Sequence, residues 1–253
     1  MRTNTWFLIR QLAWTDFKLR YNNLVLGYVW SLLHPLLVFA VLYLVFSVFI
    51  KIEGIPNYRL YLLLGIILWN YFAEATTSGM QAIQFKAGLI SKIYVPKGII
   101  LIASNLTSLL TLGLNLGIFA IFYAVSPPRQ AAAAGLFLVS LFELIVLSFA
   151  ASLLLSSFFL KFRDLAYLWG VGLQIGFWLT PIIYPPRAIP GRFLWLFTLN
   201  PLARIIQDCR AALLGQGVPS FGHHLVSLAI VAAGLALGAA VFSRRSARFA
   251  EEV

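Results

Sequence analysis

The sequence predicts an all-α integral membrane protein: six transmembrane helices, an N-terminal amphipathic interfacial helix, and short re-entrant or outer-leaflet helices between spans 5 and 6. Of its 253 residues, 61% are hydrophobic and only 11% are charged. The mean hydropathy is +0.89, which lies outside the range of soluble domains. The apolar runs are continuous, whereas strands of outer-membrane barrels alternate apolar and polar residues. Together these observations favour membrane-spanning helices.

Six apolar runs approach the roughly 20 residues that a helix needs to cross the hydrocarbon core. They cover residues of about 32–50, 60–80, 98–125, 132–160, 166–184 and 222–243. The third and fourth exceed the required length, which indicates tilt, a kink or extension beyond the bilayer. We assign the whole chain, 1–253, to a single transmembrane domain.

The net charge of +11 would suggest nucleic-acid binding in a soluble protein. Here most cations lie in short connections between apolar runs, where they determine orientation instead. Their distribution predicts that both termini are cytoplasmic, and we expect no nucleic-acid partner. A single cysteine, Cys209, excludes an internal disulfide and a cysteine-rich metal site.

The N-terminal segment, residues 1–31, is predicted to be an amphipathic helix that lies at the cytoplasmic membrane surface. At about 100° per residue, one side carries Trp14, Phe17, Tyr21 and Leu24. The opposite side carries Gln11, Thr15, Lys18 and Asn22. We expect the rings to enter the acyl boundary and the cations to meet anionic headgroups. Because no small-residue cleavage site follows the first apolar run, it is interpreted as a retained anchor.

Two inner connections can meet a cytoplasmic partner. Residues 81–97 mix apolar side chains with three lysines and reach a proline near their end, which suits a short surface helix that docks onto another protein. The pattern fits a membrane-surface turn that obeys the positive-inside rule equally well. The second connection offers Arg163 and Asp164 as a charged pair, although a solvated turn explains them too.

The outer connection, residues 185–221, opens with prolines that prevent a continuous helix. Asn200 followed by Pro201 predicts a helix N-cap and first helical residue, and Gly215 predicts the helix end. Within that helix we expect Arg204 and Asp208 to pair. Three spans also carry glycines four residues apart, which permit close helix approach. These are Gly113 and Gly117, Gly172 and Gly176, and Gly234 and Gly238.

The sequence contains no motif of nucleotide, zinc-protease or serine-hydrolase chemistry. We therefore predict no catalytic, cofactor-binding or metal-binding residue in this chain. Two acids, Glu74 and Glu143, interrupt apolar runs, and a charge at the bilayer centre costs about 2.5–3.5 kcal/mol. Glu74 recurs at helical spacing with Asn70 and Thr77, so we interpret this polar stripe as a cavity lining rather than a proton relay.

Aromatic side chains cluster within or at the ends of spans 2 and 5. They are Trp69, Tyr71, Trp169, Phe177, Trp178 and Tyr184. Flat rings can stack on the C–H faces of sugars, but lipid-facing aromatic belts are the more frequent use of such residues. The aromatic content alone does not decide between the two.

The order of several motifs carries a resemblance. They are DFKLRY (16–21), LGYVWSLLHP (26–35), GLISKIYVPK (88–97), FRDL (162–165), TPIIYP (180–185) and LNPL (199–202). In this combination the chain resembles the integral-membrane subunits of ATP-binding-cassette exporters for polysaccharides and teichoic acids, over nearly its whole length. The resemblance implies two copies of this subunit and two copies of a cytoplasmic ATPase that binds ATP and Mg²⁺.

The resemblance also implies roles for particular residues. An ATPase-coupling helix and its neighbours would use Gly88, Leu89, Ile90, Lys92, Ile93, Tyr94, Pro96, Arg163 and Asp164. A gate helix at the cytoplasmic surface would use Trp14, Phe17, Lys18, Arg20 and Tyr21. The conduit, with spans 1 and 5 in its wall, would be lined by Trp30, Tyr43, Asn70, Tyr71, Glu74, Trp169, Phe177 and Trp178.

We therefore expect a permease subunit for ATP-driven export of a lipid-linked polysaccharide, of O-antigen or teichoic acid type, across the cytoplasmic membrane. Export of a drug or small lipid by the same machinery is the related alternative. A membrane-embedded enzyme that modifies glycans or lipids ranks lower, because no acid or histidine cluster is evident in the sequence. A proton-driven transporter ranks lowest, since only two acids lie within spans and no repeat is evident.

Overall fold

The chain folds into a bundle of helices in its computed structural model, which describes residues 5–22, 29–52, 54–90, 95–126, 133–215 and 221–246. The α-helices in these ranges are α1 Thr5–Asn22, α2 Val29–Tyr43, α3 Tyr58–Phe85, α4 Ala87–Ile90, α5 Lys97–Val125, α6 Ala134–Phe159, α7 Leu165–Leu179, α8 Leu194–Leu199, α9 Pro201–Leu214 and α10 Phe221–Ser246. A π-helical segment, Leu44–Phe49, continues α2. The predicted all-α class is confirmed.

Five helical segments are long and apolar enough to cross a membrane. They are Leu32–Phe49, Tyr58–Phe85, Lys97–Val125, Ala134–Phe159 and His224–Ser246. They match five of the six predicted runs, and the protein is a multi-pass membrane protein. At 29 and 26 residues, α5 and α6 are the long helices that their apolar runs predicted.

The remaining predicted span, 166–184, is shorter in the structure. Helix α7 has 15 residues and ends at Leu179, so the predicted end was five residues too late. Thr180 is extended, with φ −83° and ψ 131°, because the residue before a proline is disfavoured in the helical region. Pro181 also lacks the N–H that a further helical turn would use.

Helix α3 forms the centre of the bundle. Of its most apolar stretch, 72% is buried, and it packs against α2, α5, α6, α7 and α9. Leu62, Leu64 and Leu68 have no exposed surface. Residues 60–68 of α3 are apolar on every side, and such a segment is expected in the interior. The other elements are arranged around α3.

Helices α6 and α10 form the most extensive contact between two helices in the described part of the chain. A glycine explains how closely they approach. A Cβ on Gly238 would lie 2.8 Å from the Ala150 carbonyl oxygen, whereas Gly113 and Gly117 face open space on this subunit. The small-residue spacing therefore identified a close contact within the subunit at Gly238, and a second at Gly176. On α7, a Cβ on Gly176 would lie 3.0 Å from the Trp69 ring.

The segment between α7 and α10 holds two 3₁₀ turns, Pro186–Ala188 and Gly191–Phe193, followed by α8 and α9. The predicted caps of α9 are confirmed. The Asn200 side chain accepts hydrogen bonds from the backbone N–H groups of Leu202 and Ala203, and Gly215 adopts φ 67°. Proline and asparagine fix this helix start locally.

Candidate functional site

Helix α1, the predicted gate helix, lies along α5 and joins a small apolar cluster. Ile9, Ala13 and Phe17 recur every four residues and are 8%, 2% and 7% exposed. Ile9 packs in an apolar cluster with Val95, which lies at the end of the α3–α5 connection and is also buried. Phe17 was predicted to face lipid, which is wrong, because this face of α1 packs on its own subunit.

Two of the other predicted gate residues, Trp14 and Lys18, are exposed outside that contact. Trp14 is 49% exposed, and Lys18 Nζ lies 5.4 Å from its ring centroid. Arg20 and Tyr21 belong to α1, but only their backbone is described. Helix α1 is therefore attached to the subunit through one narrow apolar stripe.

Two polar contacts reinforce the attachment of α1. Lys86, just after α3, donates from Nζ to Asp16 Oδ2 at 2.5 Å, with side-chain exposures of 15% and 27%. Thr107 in α5 donates from its hydroxyl to the Ala13 carbonyl at 3.2 Å. The ion pair connects the gate helix to the chain segment that leads directly into the predicted coupling helix.

Reversing the charge of Lys86 should loosen α1. We expect trypsin to cleave after Lys18 roughly fivefold faster in Lys86→Glu. This corresponds to a loss of about 1 kcal/mol from the free energy that docks α1 on the subunit. The double variant Asp16→Lys with Lys86→Glu should restore the wild-type rate because it recreates the pair. Lys51→Glu, at the opposite end of the bundle, serves as control. A double variant as sensitive as Lys86→Glu would contradict this role.

The predicted coupling residues lie at the end of the bundle where α3 stops and α5 starts. Gly88 lies in α4 with nothing within 4 Å of its Cβ position, and Pro96 is the exposed N-cap of α5. Leu89 and Ile90 belong to α4 by backbone only. Lys92, Ile93 and Tyr94 lie outside the described residues. Their coupling role therefore stays a prediction.

Arg163 and Asp164 are both exposed at the junction of α6 and α7. The Asp164 backbone carbonyl accepts from the N–H groups of Tyr167 and Leu168, so this residue starts α7. Phe85 is one of the apolar residues of the predicted docking segment 81–97, and it ends α3 with 78% of its surface exposed. A large exposed apolar side chain beside a cationic segment is a candidate for contact with another protein.

The predicted conduit residues of spans 2 and 5 meet in one aromatic cluster, formed by Trp69, Phe72, Trp169, Phe177 and Trp178. Ring centroids are separated by 5.8 Å between Trp69 and Phe177 and by 6.2 Å between Phe72 and Trp169. Trp169 also donates from Nε1 to the Thr76 hydroxyl at 3.1 Å. Phe72 was missed, because a single phenylalanine in an apolar run has no distinguishing pattern.

Exposure within the cluster is graded. Trp69 is 6% exposed and Trp178 is 55% exposed. None of the residues of α7 is buried in the subunit. The cluster therefore begins in the core beside α3 and reaches the surface along α7, where a ligand or another subunit can contact its rings.

The other conduit candidates lie in different environments. Tyr71 is 3% exposed and belongs to the hydrophobic core, so it lines no surface of this subunit. Asn70 and Glu74 are half-buried on α3, as the predicted polar stripe requires. Tyr43 accepts a hydrogen bond from Arg59 Nε at 3.1 Å. The side chain of Trp30 lies outside the described part of the structure.

Arg210 joins α9 to the bundle, and no pattern in the sequence indicated this. It is fully buried, and its guanidinium donates to the backbone carbonyls of Tyr61, Pro181 and Ile182 at 3.1, 2.7 and 2.7 Å. The guanidinium carbon lies 3.5 Å from the Tyr61 ring centroid. An arginine satisfied by main-chain acceptors fixes the turn after α7 against the start of α3.

Beside Arg210, three side chains from different helices converge: Glu143 of α6, Asp208 of α9 and His224 of α10. One potential ligand atom from each lies within 4.8 Å of the other two. Burial, together with the Glu143 carboxylate, raises the pKa of Asp208 to about 7, and Arg204 opposes this shift. No acid and histidine cluster was expected from the sequence, and this expectation was wrong. The three residues are far apart in sequence.

An apolar groove of about 490 Å³ lies between the end of α7 and the turns before α8. Its lining is Leu179, Tyr184, Ala188, Ile189, Pro190, Phe193 and Phe197. It adjoins Trp178, the exposed end of the aromatic cluster. Within the described residues, the aromatic cluster and this groove are two surfaces that a substrate or a partner can contact.

Comparison with known proteins supplies the family. Residues 8–214 match the family described as ABC-2 type transporter. An O-antigen export system permease protein RfbA from Klebsiella pneumoniae is 29% identical, and the alignment covers 93% of this chain and 91% of that protein. A protein of the same name from Myxococcus xanthus is 27% identical, with 97% and 95% coverage.

Proposed function

The chain belongs to the ABC-2 type transporter family and is a transport subunit, and we propose that it is the permease of an exporter for a lipid-linked polysaccharide of the O-antigen type. The observation that carries this proposal is the similarity to O-antigen export permeases over more than nine-tenths of both chains. Teichoic acid is the other substrate that the motif order favours, and it shares the lipid-linked polymer chemistry.

Family membership implies an ATP-binding-cassette ATPase as partner. We propose two permeases and two ATPases, with ATP and Mg²⁺ bound by the ATPase and no cofactor or catalytic residue in this chain. The lack of any nucleotide-binding motif in the sequence supports this division of labour. The uncovered apolar surface of α7, including Leu168 at 69% and Val171 at 56% exposed, supports contact with a second permease or with lipid.

We place the ATPase at the end of the bundle that holds the α3–α5 connection, in the cytoplasm. Cations gather at this end: Lys97 Nζ donates to the Ser246 carbonyl at 2.5 Å, and Arg245 stacks on Phe158 with 4.2 Å between the guanidinium carbon and the ring centroid. The positive-inside rule supports cytoplasmic termini, and we propose that the protein lies in the inner membrane.

Coupling would run through the apolar side chains of the segment 85–94, of which Phe85 is 78% exposed. Val95 is 4% exposed and anchors the end of this segment under α1, so movement imposed on the segment would reach both α5 and the gate helix. Arg163 and Asp164 would form a second contact with the ATPase. This arrangement converts closure of the ATPases into motion at the cytoplasmic end of the bundle.

The conduit would pass along α2 and α7, with the aromatic cluster in its wall. Sugar C–H faces stack on aromatic rings without a requirement for one sequence of hydroxyl groups, which suits a polymer that slides. The half-buried Asn70 and Glu74 would add hydrogen bonds to hydroxyls. The lipid end would use the surface beside the gate helix, and membrane lipids would cover the remaining apolar surface.

Reconstitution tests the proposal. Purified permease and its ATPase in proteoliposomes should move a fluorescently labelled lipid-linked O-polysaccharide across the bilayer when ATP is supplied. Liposomes with an ATPase that lacks its P-loop lysine should show no transport. Movement of small lipids but not of the polysaccharide would replace the proposal with the small-lipid exporter. Modification of the glycan by the permease alone would replace it with the membrane enzyme.

A further inference from the structure

We propose that Glu143, Asp208 and His224 form a binding site for a divalent transition-metal cation of the Zn²⁺ class, which joins α6, α9 and α10. The three residues come from separate helices, and their ligand atoms lie within 4.8 Å of one another. His224 Nδ1 lies 3.9 Å from Asp208 Oδ2. This site is independent of the proposed transport function, since it requires only the folded permease.

Burial of the Glu143 carboxylate supports a bound cation. Glu143 is 1% exposed, and its Oε2 atom has no hydrogen-bond partner among the described residues. An ionisable oxygen in such a position is costly unless a cation or donor satisfies it. Glu143 belongs to a membrane-spanning helix, where water is scarce, so the cost is larger there than at a protein surface.

Two buried serines follow or precede the proposed ligands by one helical turn and also support a bound cation. Ser140 lies one helical turn before Glu143, and Ser227 lies one turn after His224. Both have no exposed surface, and within the described ranges neither hydroxyl has a hydrogen-bond partner. Two hydroxyls beside a metal site can accept hydrogen bonds from a metal-bound water. The serines therefore suit a cation whose fourth ligand is water.

Charge and geometry also fit a bound cation. The carboxyl groups of Glu143 and Asp208 lie close together in this cluster, and a divalent cation would offset their negative charge. A tetrahedral Zn²⁺ at about 2.0–2.1 Å from its ligands separates them by about 3.3 Å. Side-chain rotation within the 4.8 Å cluster provides that approach. Two oxygen ligands and one imidazole nitrogen favour Zn²⁺, Co²⁺ or Mn²⁺ over Ca²⁺.

Cobalt titration tests the site directly. Permease purified in detergent, with its affinity tag removed and treated with chelator, should bind one Co²⁺ per chain with the intense visible absorption of tetrahedral coordination, and Zn²⁺ should displace it. Saturating Zn²⁺ should raise the unfolding midpoint by about 5–10 °C. The absence of one-to-one binding would overturn the proposal.

Conservative variants locate the bound metal. Glu143→Gln and His224→Asn should each weaken Co²⁺ binding at least tenfold, while unfolding midpoints measured without metal verify that both variants fold. Glu74→Gln and His34→Asn are the matched controls and should bind like the wild type. Equal binding by all four variants would overturn the site, as would a loss of binding in His223→Asn that His224→Asn does not share.

Discussion

Replacing Arg210 by methionine is expected to destabilise the permease by about 3 kcal/mol. Methionine leaves the Ile182 carbonyl without its guanidinium donor and removes the stacking on Tyr61. Each buried unsatisfied acceptor costs about 1–3 kcal/mol. Removing the arginine also removes the cost of burying its charge, but this gain offsets the loss only in part. In a chain of this size the unfolding midpoint in detergent should fall by about 6–12 °C.

Two further variants control for this result. Arg192, which is exposed and lies over the Phe193 ring, should tolerate methionine with a change within about 0.5 kcal/mol. Arg210→Lys should recover only part of the loss, because an ammonium cannot reproduce the guanidinium fork that reaches three carbonyls. If Arg210→Met unfolds at the same temperature as Arg192→Met, the arginine does not hold α9 in place.

Replacing Ile93 by aspartate is expected to abolish the coupling of ATP hydrolysis to substrate in the reconstituted complex, with at least a tenfold fall in stimulated hydrolysis. A carboxylate placed in an apolar docking contact loses its water without gaining a partner, which costs several kcal/mol. A cost above about 1.4 kcal/mol is already a factor of ten in association. The ATPase rate with and without lipid-linked glycan measures the effect.

Val125→Asp is the matched control for Ile93→Asp. Val125 ends α5 at the opposite end of the bundle and is 80% exposed, so it receives the same chemical change away from the proposed docking surface. This variant should retain stimulated hydrolysis and copurify with the ATPase. An Ile93→Asp complex with wild-type stimulation would remove this residue from the coupling contact, and the role would then pass to Phe85 or Tyr94.

Local chemistry explains which parts of the fold could be predicted. Hydropathy over about 20 residues identified five spans, and Asn200, Pro201 and Gly215 fixed the bounds of α9, since a cap depends on neighbours in the chain. The end of α7 at Leu179 was also a local effect, because Pro181 stops the helix. The prediction of span 5 counted apolar residues beyond the proline and so overestimated its length.

The candidate site was predicted less completely. The sequence indicated most of the aromatic residues of the aromatic cluster, and the motif order identified the family. Phe17 and Tyr71 were misassigned to lipid and conduit, because hydropathy does not distinguish a side chain that faces lipid from one that faces another helix of the same bundle. In a membrane both environments are apolar.

The sequence by itself determined that this protein crosses the membrane several times, contains no nucleotide-binding motif and resembles polysaccharide export permeases. Only the tertiary structure decided that Arg210 is buried on three carbonyls, that Asp16 pairs with Lys86, and that Glu143, Asp208 and His224 meet. The physical reason is distance along the chain. Composition and periodicity predict which segments form helices and which of their faces are apolar, whereas these contacts depend on which faces of separate helices pack together.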